Sequence, residues 1–203
     1  LAHILIDQAH RQAWAVDSDK ARELNPANPA DASYAKMAAA AEANGFGVSS
    51  FSSGSLTKEA LASNDVFVLP HASTDDWEKT LGTGSPVLSA SEISAIKDFV
   101  FDGGGLVVLA ETEQLKYGNN FAELTEVFGI KILNETVQDS VENFKEVPTW
   151  VKGDLKNTYE YDLSLKVSDI AFYRAGVLDV DPSADAWVVA QSSLSAYPAE
   201  APL

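Results

Sequence analysis

Short apolar runs alternate with amphipathic stretches through the first two thirds of the chain. A run of four to six apolar residues predicts a strand, and apolar residues that recur every three or four positions predict a helix. Most of the helical stretches begin at a Ser, Asp or Asn cap and several end at a glycine, which are ordinary boundary signals. At the start of residues 88–104, Ser89 and Glu92 are predicted to form a capping box. The predicted strands cover residues 2–7, 46–51, 65–70, 105–110 and 130–133, and the predicted helices cover residues 31–45, 55–63, 88–104 and 119–130.

The order of these elements favours an α/β fold. Strands that alternate with helices, and strands as uniformly apolar as residues 65–70, are typical of a parallel sheet covered by helices on both faces. We therefore predict a flavodoxin-like, doubly wound fold with a mainly parallel sheet. Residues 8–30 contain Asn-Pro breaks and no periodicity, so they are predicted to form a long loop.

The alternation stops near residue 134. Residues 134–165 are polar with scattered aromatic side chains, and we predict an irregular excursion there. Extended segments are predicted within residues 165–180, and a further strand is predicted over residues 186–193. The tail over residues 195–203 contains two prolines and is predicted to have no partner strand.

Charge and cysteine content narrow the classes of function. The chain has 14 Lys and Arg against 30 Asp and Glu, a formal net charge of −16, so we expect no nucleic-acid partner and no attraction to anionic lipid. No apolar run approaches the ~20 residues that a membrane span requires. The absence of cysteine excludes disulfides, thiolate metal ligands and cysteine nucleophiles.

Polar side chains at the predicted strand ends form the candidate site. The carboxyl ends of parallel strands meet at one edge of the sheet, where ligands usually bind. The candidate catalytic residues are Asp7, His71 and Glu111, and the candidate metal ligands are His10, His71 and Glu111. The residues predicted to bind a ligand are Asp7, Gln8, His10, His71, Glu111, Glu113, Tyr117 and Asn120.

Several kinds of chemistry are open to these residues. Imidazole and carboxylate groups suit zinc or manganese, which would activate a water for hydrolysis. Glu111 and Asp7 could instead act as paired carboxylates, or hydrogen-bond a sugar while Trp14 or Tyr117 stacks on it. Alternatively, the same side chains form only structural hydrogen bonds to the backbone at strand ends and helix starts. Because the sequence contains no HExxH motif, we expect no cofactor, with a divalent metal as the alternative.

The sequence also resembles a known superfamily. The resemblance rests on the stretches "ILIDQAH", "NDVFVLPHAS" and "LSASEISAIKDFVFDGGGLVVLAETEQ". Together they resemble the class I glutamine-amidotransferase-like superfamily, and within it the ThuA-like and GIFT-type branches without amidotransferase activity. The nucleophilic cysteine of that superfamily would fall at Ala110 or Glu111, and the late His-x-Glu pair is missing, so glutaminase and cysteine-hydrolase activities are excluded.

The resemblance implies a single domain over residues 1–203, truncated at its C-terminus. It implies a module of a larger bacterial protein at the cell surface or outside the cell, with a cytoplasmic location as the alternative. The function expected is non-catalytic binding or interaction, with a small polar ligand, a glycan or other domains of the parent protein as partner. The alternative is a hydrolase that uses the strand-end histidines and carboxylates.

Overall fold

The computed structural model describes residues 1–155 and 170–200. Predictions that fall on residues 156–169 and 201–203 lie outside the described residues. The chain divides into two compact units. The first contains residues 1–110 and 115–124, and the second contains residues 111–114 and 125–203. This division does not test the prediction of a single domain, since one domain can contain two compact units.

The first unit is built on a four-stranded parallel sheet. Its strands are β1 (His3–Asp7), β2 (Gly47–Phe51), β3 (Val66–Leu69) and β4 (Gly105–Val108), in the order β2-β1-β3-β4. In the register, Leu5 of β1 lies beside Ser49 of β2 and Phe67 of β3. The two central strands carry the core of the unit, because Ile6, Phe67 and Leu69 have almost no exposed surface.

Short helices accompany this sheet. They are α1 (Ser18–Leu24), α2 (Ala35–Ala43), α3 (Lys58–Leu61), α4 (Ala90–Phe101) and α5 (Phe121–Glu126), with 3-10 turns at Pro29–Ala32 and Gln114–Tyr117. The longest of those described is α4, with 12 residues, and it contacts α3 and β4. Ile96 of α4 and Leu61 of α3 are fully buried. None of the described helices is long and apolar enough to cross a membrane.

The second unit is built on two small antiparallel sheets. Its strands are β5 (Ile130–Gln138), β6 (Trp150–Leu155), β7 (Ile170–Tyr173), β8 (Gly176–Val180), β9 (Ala190–Ser192) and β10 (Tyr197–Glu200). They form sheets of order β10-β5-β8 and β7-β6-β9. Val151 of β6 is fully buried and Ile132 of β5 nearly so.

The prediction of a flavodoxin-like, doubly wound fold is wrong. In the described residues, the parallel sheet has four strands and its order ends at β4. The predicted fifth parallel strand, residues 130–133, is the start of β5, which pairs antiparallel with β8 and β10. The structure is a four-stranded parallel sheet with two small antiparallel sheets. A short apolar run predicts a strand but does not determine which neighbour that strand pairs with.

Two local predictions also need correction. The predicted loop at residues 8–30 contains α1, whose N-cap Asp17 accepts hydrogen bonds from the backbone N–H groups of Asp19 and Lys20. The tail predicted to lack a partner strand contains β10, which pairs with β5. Pro198 lies in β10 at the edge of its sheet, and edge strands are where proline is mostly found because it has no backbone N–H to donate.

Candidate functional site

Asp7 ends β1 and is fully buried. Its Oδ1 accepts the backbone N–H of Ala9 at 3.0 Å. Its Oδ2 accepts the side-chain amide of Gln12 at 2.7 Å and lies 2.8 Å from Nδ1 of His10. A carboxylate with this many internal donors stabilises the loop that follows β1, and it has no exposed surface on which to act as an acid or base.

His10 lies between two carboxylates. Its Nδ1 faces Asp7, and its Nε2 lies 3.1 Å from Oε1 of Glu92, the residue in the first turn of α4. Burial opposes the charged imidazole, but the hydrogen bonds and charges of Asp7 and then Glu92 outweigh it and raise the pKa of His10. His10 is 4 % exposed, so its ring is a buried link between two segments of the chain.

Gln8 is also buried and bonded within the chain. Its side-chain oxygen accepts the backbone N–H of Val16 at 2.9 Å, and its carbonyl accepts the hydroxyl of Thr83 at 3.0 Å. The side-chain oxygen of Gln12 accepts the N–H of His10 at 2.9 Å. These polar groups fold the loop after β1 back on itself.

His71 follows β3 and is 8 % exposed. Its Nε2 lies 2.5 Å from Oε1 of Glu78, and its ring meets the edge of Tyr117 with 4.4 Å between ring centres. Within residues 1–155 and 170–200, its buried Nδ1 has no hydrogen-bond partner. Lys116 places its ammonium 5.0 Å from the centre of the Tyr117 ring, so Tyr117 has packing partners on the protein itself.

The two asparagines before α5 bond to the backbone. Asn120 accepts the N–H of Leu88 at 2.8 Å and donates to the carbonyl of Leu88 at 2.9 Å. Asn119 donates to the carbonyl of Ala72 at 2.7 Å and accepts the N–H of Phe121 at 3.2 Å. Both side chains therefore connect loops, and that of Asn119 also accepts a backbone N–H at the start of α5.

The stretch after β4 belongs to the second unit. Glu111 and Glu113 are partly buried, and the backbone N–H of Glu111 donates to the side-chain oxygen of Gln114 at 2.9 Å. Thr112 is buried and its hydroxyl bonds the hydroxyl of Thr136 on β5. The structure thus brings Asp7 and His10 together, whereas Glu111 lies in the other compact unit.

No metal site forms in the described part of the chain. There, His, Asp and Glu side chains nowhere gather in a group of three or more that could hold a metal ion. His10, His71 and Glu111 therefore do not form the predicted ligand set among the residues described. Two carboxylates already occupy both ring nitrogens of His10.

The expected association with carbohydrate is not supported and is withdrawn. Of the two aromatic side chains expected to stack on a sugar, Trp14 packs against Tyr34 with 5.2 Å between ring centres, and Tyr117 packs against His71. A surface depression of about 430 Å³ in the first unit is lined mostly by charged residues: its lining consists of Lys20, Glu23, Leu24, Asp75, Glu78, Lys79, Thr80, Leu81 and Gly82. Its lining includes no aromatic ring, which a sugar-binding cleft normally provides.

The sequence does not reveal the bonding partners of two buried carboxylates, Glu92 and Asp139. Glu92 accepts the backbone N–H and the hydroxyl of Ser89 at 2.8 and 2.7 Å, and also the N–H of Leu56 at 3.0 Å. Burial works against its charged form, but these hydrogen bonds and the one from His10 outweigh it and lower the pKa of Glu92. The capping box Ser89–Glu92 was visible in the sequence, but its contact with His10 was not.

Asp139 is the corresponding carboxylate of the second unit and is fully buried. It accepts the hydroxyls of Ser193 and Ser195 and the backbone N–H groups of Val141 and Glu142. Although burial opposes the charge, these four donors hold the pKa of Asp139 well below its usual range. Asp139 thereby joins the loop after β5 to the loop after β9.

Comparison with known proteins adds a single statement about the fold. No protein-family model matches the chain, and no curated protein matches it. Among solved structures, the chain is similar to one described as "mmIFT52 N-terminal domain", with a TM-score of 0.59 and 16 % sequence identity. The match covers 90 % of this chain and 70 % of that one. At this identity the likeness concerns the fold alone, and it does not test the resemblance to the amidotransferase-like superfamily.

Proposed function

We propose that this chain is a non-catalytic domain that binds other proteins. The observation that carries the proposal is that polar side chains at the strand ends form hydrogen bonds within the chain. Asp7, Gln8 and His10 are buried and bonded to their own chain, so they stabilise loops. A catalytic site needs a reactive group that a substrate can reach. The hydrolase alternative stays a prediction, and its metal-dependent form has no ligand set among the residues described.

An exposed aromatic surface near the same strand ends supports the proposal. Trp77 is 59 % exposed and Leu115 is 74 % exposed. Lys116 places its ammonium 5.2 Å from the centre of the Trp77 ring, which brings the two segments together. We call Trp77, Leu115 and Lys116 the Trp77 surface. Tryptophan is prominent among the residues that dominate binding energy at protein interfaces.

The loop that carries Trp77 is held by hydrogen bonds to neighbouring segments. Asp75 accepts hydrogen bonds from the Arg11 side chain and from the Thr80 hydroxyl. The backbone N–H of Thr74 donates to the carbonyl of Tyr117 at 2.9 Å. The loop is thus held in place while the Trp77 side chain is left largely in water. A pre-ordered aromatic side chain loses little conformational entropy when a partner covers it.

A matched pair of variants tests the proposal. Trp77→Ala removes the exposed ring beside Lys116, and Phe101→Ala removes an exposed ring beside Lys97 on α4. Proteins retained by the immobilised wild-type chain from an extract of its own organism are identified, purified and titrated directly against all three chains. We expect a stoichiometric protein partner whose affinity falls about tenfold or more with Trp77→Ala, the loss expected for an interface anchor, and stays unchanged with Phe101→Ala.

One outcome would overturn the proposal, and another would overturn only the assignment of the interface. If no purified protein binds the folded wild-type chain directly, the domain does not function by binding proteins. If a partner binds all three chains equally, the proposal survives for the domain but the Trp77 surface is not its interface.

A further inference from the structure

The strongest unexplained feature is the buried cluster of Asp7, His10 and Glu92, which we call the His10 clasp. Both ring nitrogens of His10 face carboxylate oxygens, at 2.8 Å from Asp7 and 3.1 Å from Glu92. An ionised carboxylate only accepts hydrogen bonds, so each ring nitrogen must donate. Only the imidazolium carries a hydrogen on both nitrogens. With both carboxylates ionised, this geometry favours the charged form of His10.

The clasp joins three segments of the first unit. Asp7 ends β1, and His10 lies in the loop that follows. Glu92 lies in the first turn of α4, where it also completes the capping box with Ser89. The same Oε1 that faces His10 accepts the N–H of Leu56 at 3.0 Å, just before α3. The charge on one imidazole thus affects the loop after β1, the start of α4 and the approach to α3.

Within residues 1–155 and 170–200, the charged groups that face His10 are these two carboxylates, one from the β1 side and one from α4. Gln12, which also bonds Asp7, is neutral, and Ser89, which bonds Glu92, is neutral as well. With burial opposing the charge and two carboxylates favouring it, the pKa of His10 rises above its ordinary 6.5.

We propose that the His10 clasp is a pH-sensitive latch that holds the loop after β1 against the start of α4 and releases it when His10 loses its proton. Without that proton, the lone pair of one ring nitrogen would face a carboxylate in a buried site, and the two would repel. The inference goes beyond the proposed binding function and does not depend on it.

The direction of the pH effect follows from the two titrating groups. Because folding raises the pKa of His10, its contribution to stability is fully present below 6.5 and is lost as the pH rises through the folded-state value. Because folding lowers the pKa of Glu92, its contribution is present above 4.5 and is lost as the pH falls through its folded-state value. The latch is therefore closed between the folded-state pKa of Glu92 and the folded-state pKa of His10. It opens when the pH rises above the latter and His10 loses its proton.

The wild-type chain is sufficient for the first measurement. The imidazole signals of His3, His10 and His71 are followed by NMR from about pH 5 to about pH 10, a range that brackets ordinary histidine titration, and His3→Gln assigns the exposed ring. We expect His10 to titrate above 6.5. The backbone amide signals of Leu56 and Ser89 should shift with the same midpoint. The ¹⁵N heteronuclear NOE of residues 9–15 should fall above that midpoint as the loop becomes mobile.

A variant checks that the carboxylate of α4 is responsible. Glu92→Gln keeps the size of the side chain but removes its charge, so the His10 midpoint should fall relative to wild type, whereas His3→Gln should leave it unchanged. The proposal is overturned if wild-type His10 titrates at or below 6.5. It is equally overturned if His10 titrates above that value while the loop after β1 keeps the same order and the Leu56 and Ser89 amides do not respond. Neither result bears on whether the domain binds a protein partner.

Discussion

Gly84 lies directly against the loop that follows β1. Its φ is +62°, and a Cβ at this position would lie 2.1 Å from the carbonyl oxygen of Ala9. Gly82 has a similar φ of +69°, but a Cβ there would meet nothing within 4 Å. The two glycines therefore share a left-handed backbone and differ in how closely the neighbouring loop approaches.

This difference gives a prediction with its own control. Gly82→Ala should lower the free energy of unfolding by about 1–2 kcal/mol, the cost of a left-handed conformation for an alanine. Gly84→Ala should cost a further ~1–3 kcal/mol because the loop after β1 must move away from the new methyl group. Urea unfolding followed by circular dichroism measures both. Equal losses for the two variants would show that the loop does not pack on Gly84 as described.

At the residue scale, the sequence identifies polar side chains but not their partners. Asp7, His10 and Glu92 are all visible in the printed sequence, yet His10 and Glu92 are 82 positions apart. Nothing in the spacing of either residue indicates that they meet. Two histidines near strand ends therefore suggested a metal site, whereas the fold supplied carboxylate partners for both. The ligand-binding role assigned to these residues stays a prediction.

At the scale of an element, α4 is the clearest case of a helix determined by its own sequence. The Ser89–Glu92 capping box is predicted from residue types three positions apart, and the structure confirms both of its hydrogen bonds. The apolar positions of the helix recur at helical spacing, and one of them, Ile96, is fully buried. Local signals of this kind need no knowledge of the rest of the chain.

The cap yields a prediction about the stability of the first unit. Ser89→Ala removes the acceptor for the Glu92 N–H and the donor to the Glu92 carboxylate, so it should cost about 1 kcal/mol. For a chain of this size the loss should lower the melting temperature by roughly 2–4 °C. Ser94→Ala, an exposed site inside the same helix, is the control and should leave the melting temperature unchanged or slightly higher. If the Ser89→Ala variant has the same melting temperature as the wild type, the Ser89 cap does not stabilise the first unit as predicted.

Strands show the limit of prediction at this scale. The short stretches at residues 65–70 and 130–133 are both rich in Ile, Val, Leu or Phe, and both form strands. The first becomes the central strand β3 of the parallel sheet, and the second becomes part of the antiparallel β5. Pairing depends on contacts between distant segments, such as that of β5 with β10 near the end of the chain. The alternation of side chains along one strand does not indicate which segment it will contact.

At the scale of the whole molecule, excess negative charge is the dominant property. The formal net charge is −16, and acidic residues outnumber basic ones in both compact units. Mutual repulsion among these charges destabilises the compact state, and dissolved salt screens it. Exposed ion pairs such as that of Lys58 with Asp102 offset little of this repulsion, because water and salt weaken the attraction between exposed charges.

The charge predicts a salt dependence of stability. Raising NaCl from about 20 mM to about 300 mM shortens the screening length from roughly 20 Å to below 10 Å, so the melting temperature should rise. A variant with Glu42→Gln, Asp98→Asn and Asp154→Asn, all at exposed positions, carries three fewer negative charges and should show a smaller rise. A melting temperature that falls with added salt in the wild type would mean that attractive ion pairs outweigh the repulsion.

The sequence by itself determined the local features of this protein. Residue order along the chain is sufficient for the four strands of the parallel sheet, for the cap of α4 and for the net charge, because each depends on neighbouring residues or on composition. Only the tertiary structure decided that the parallel sheet has four strands, that β5 and β10 pair, and that Asp7 and Glu92 enclose His10. These features depend on contacts between segments far apart in the chain. Their free energy is set by burial and by hydrogen-bond partners that no local pattern specifies.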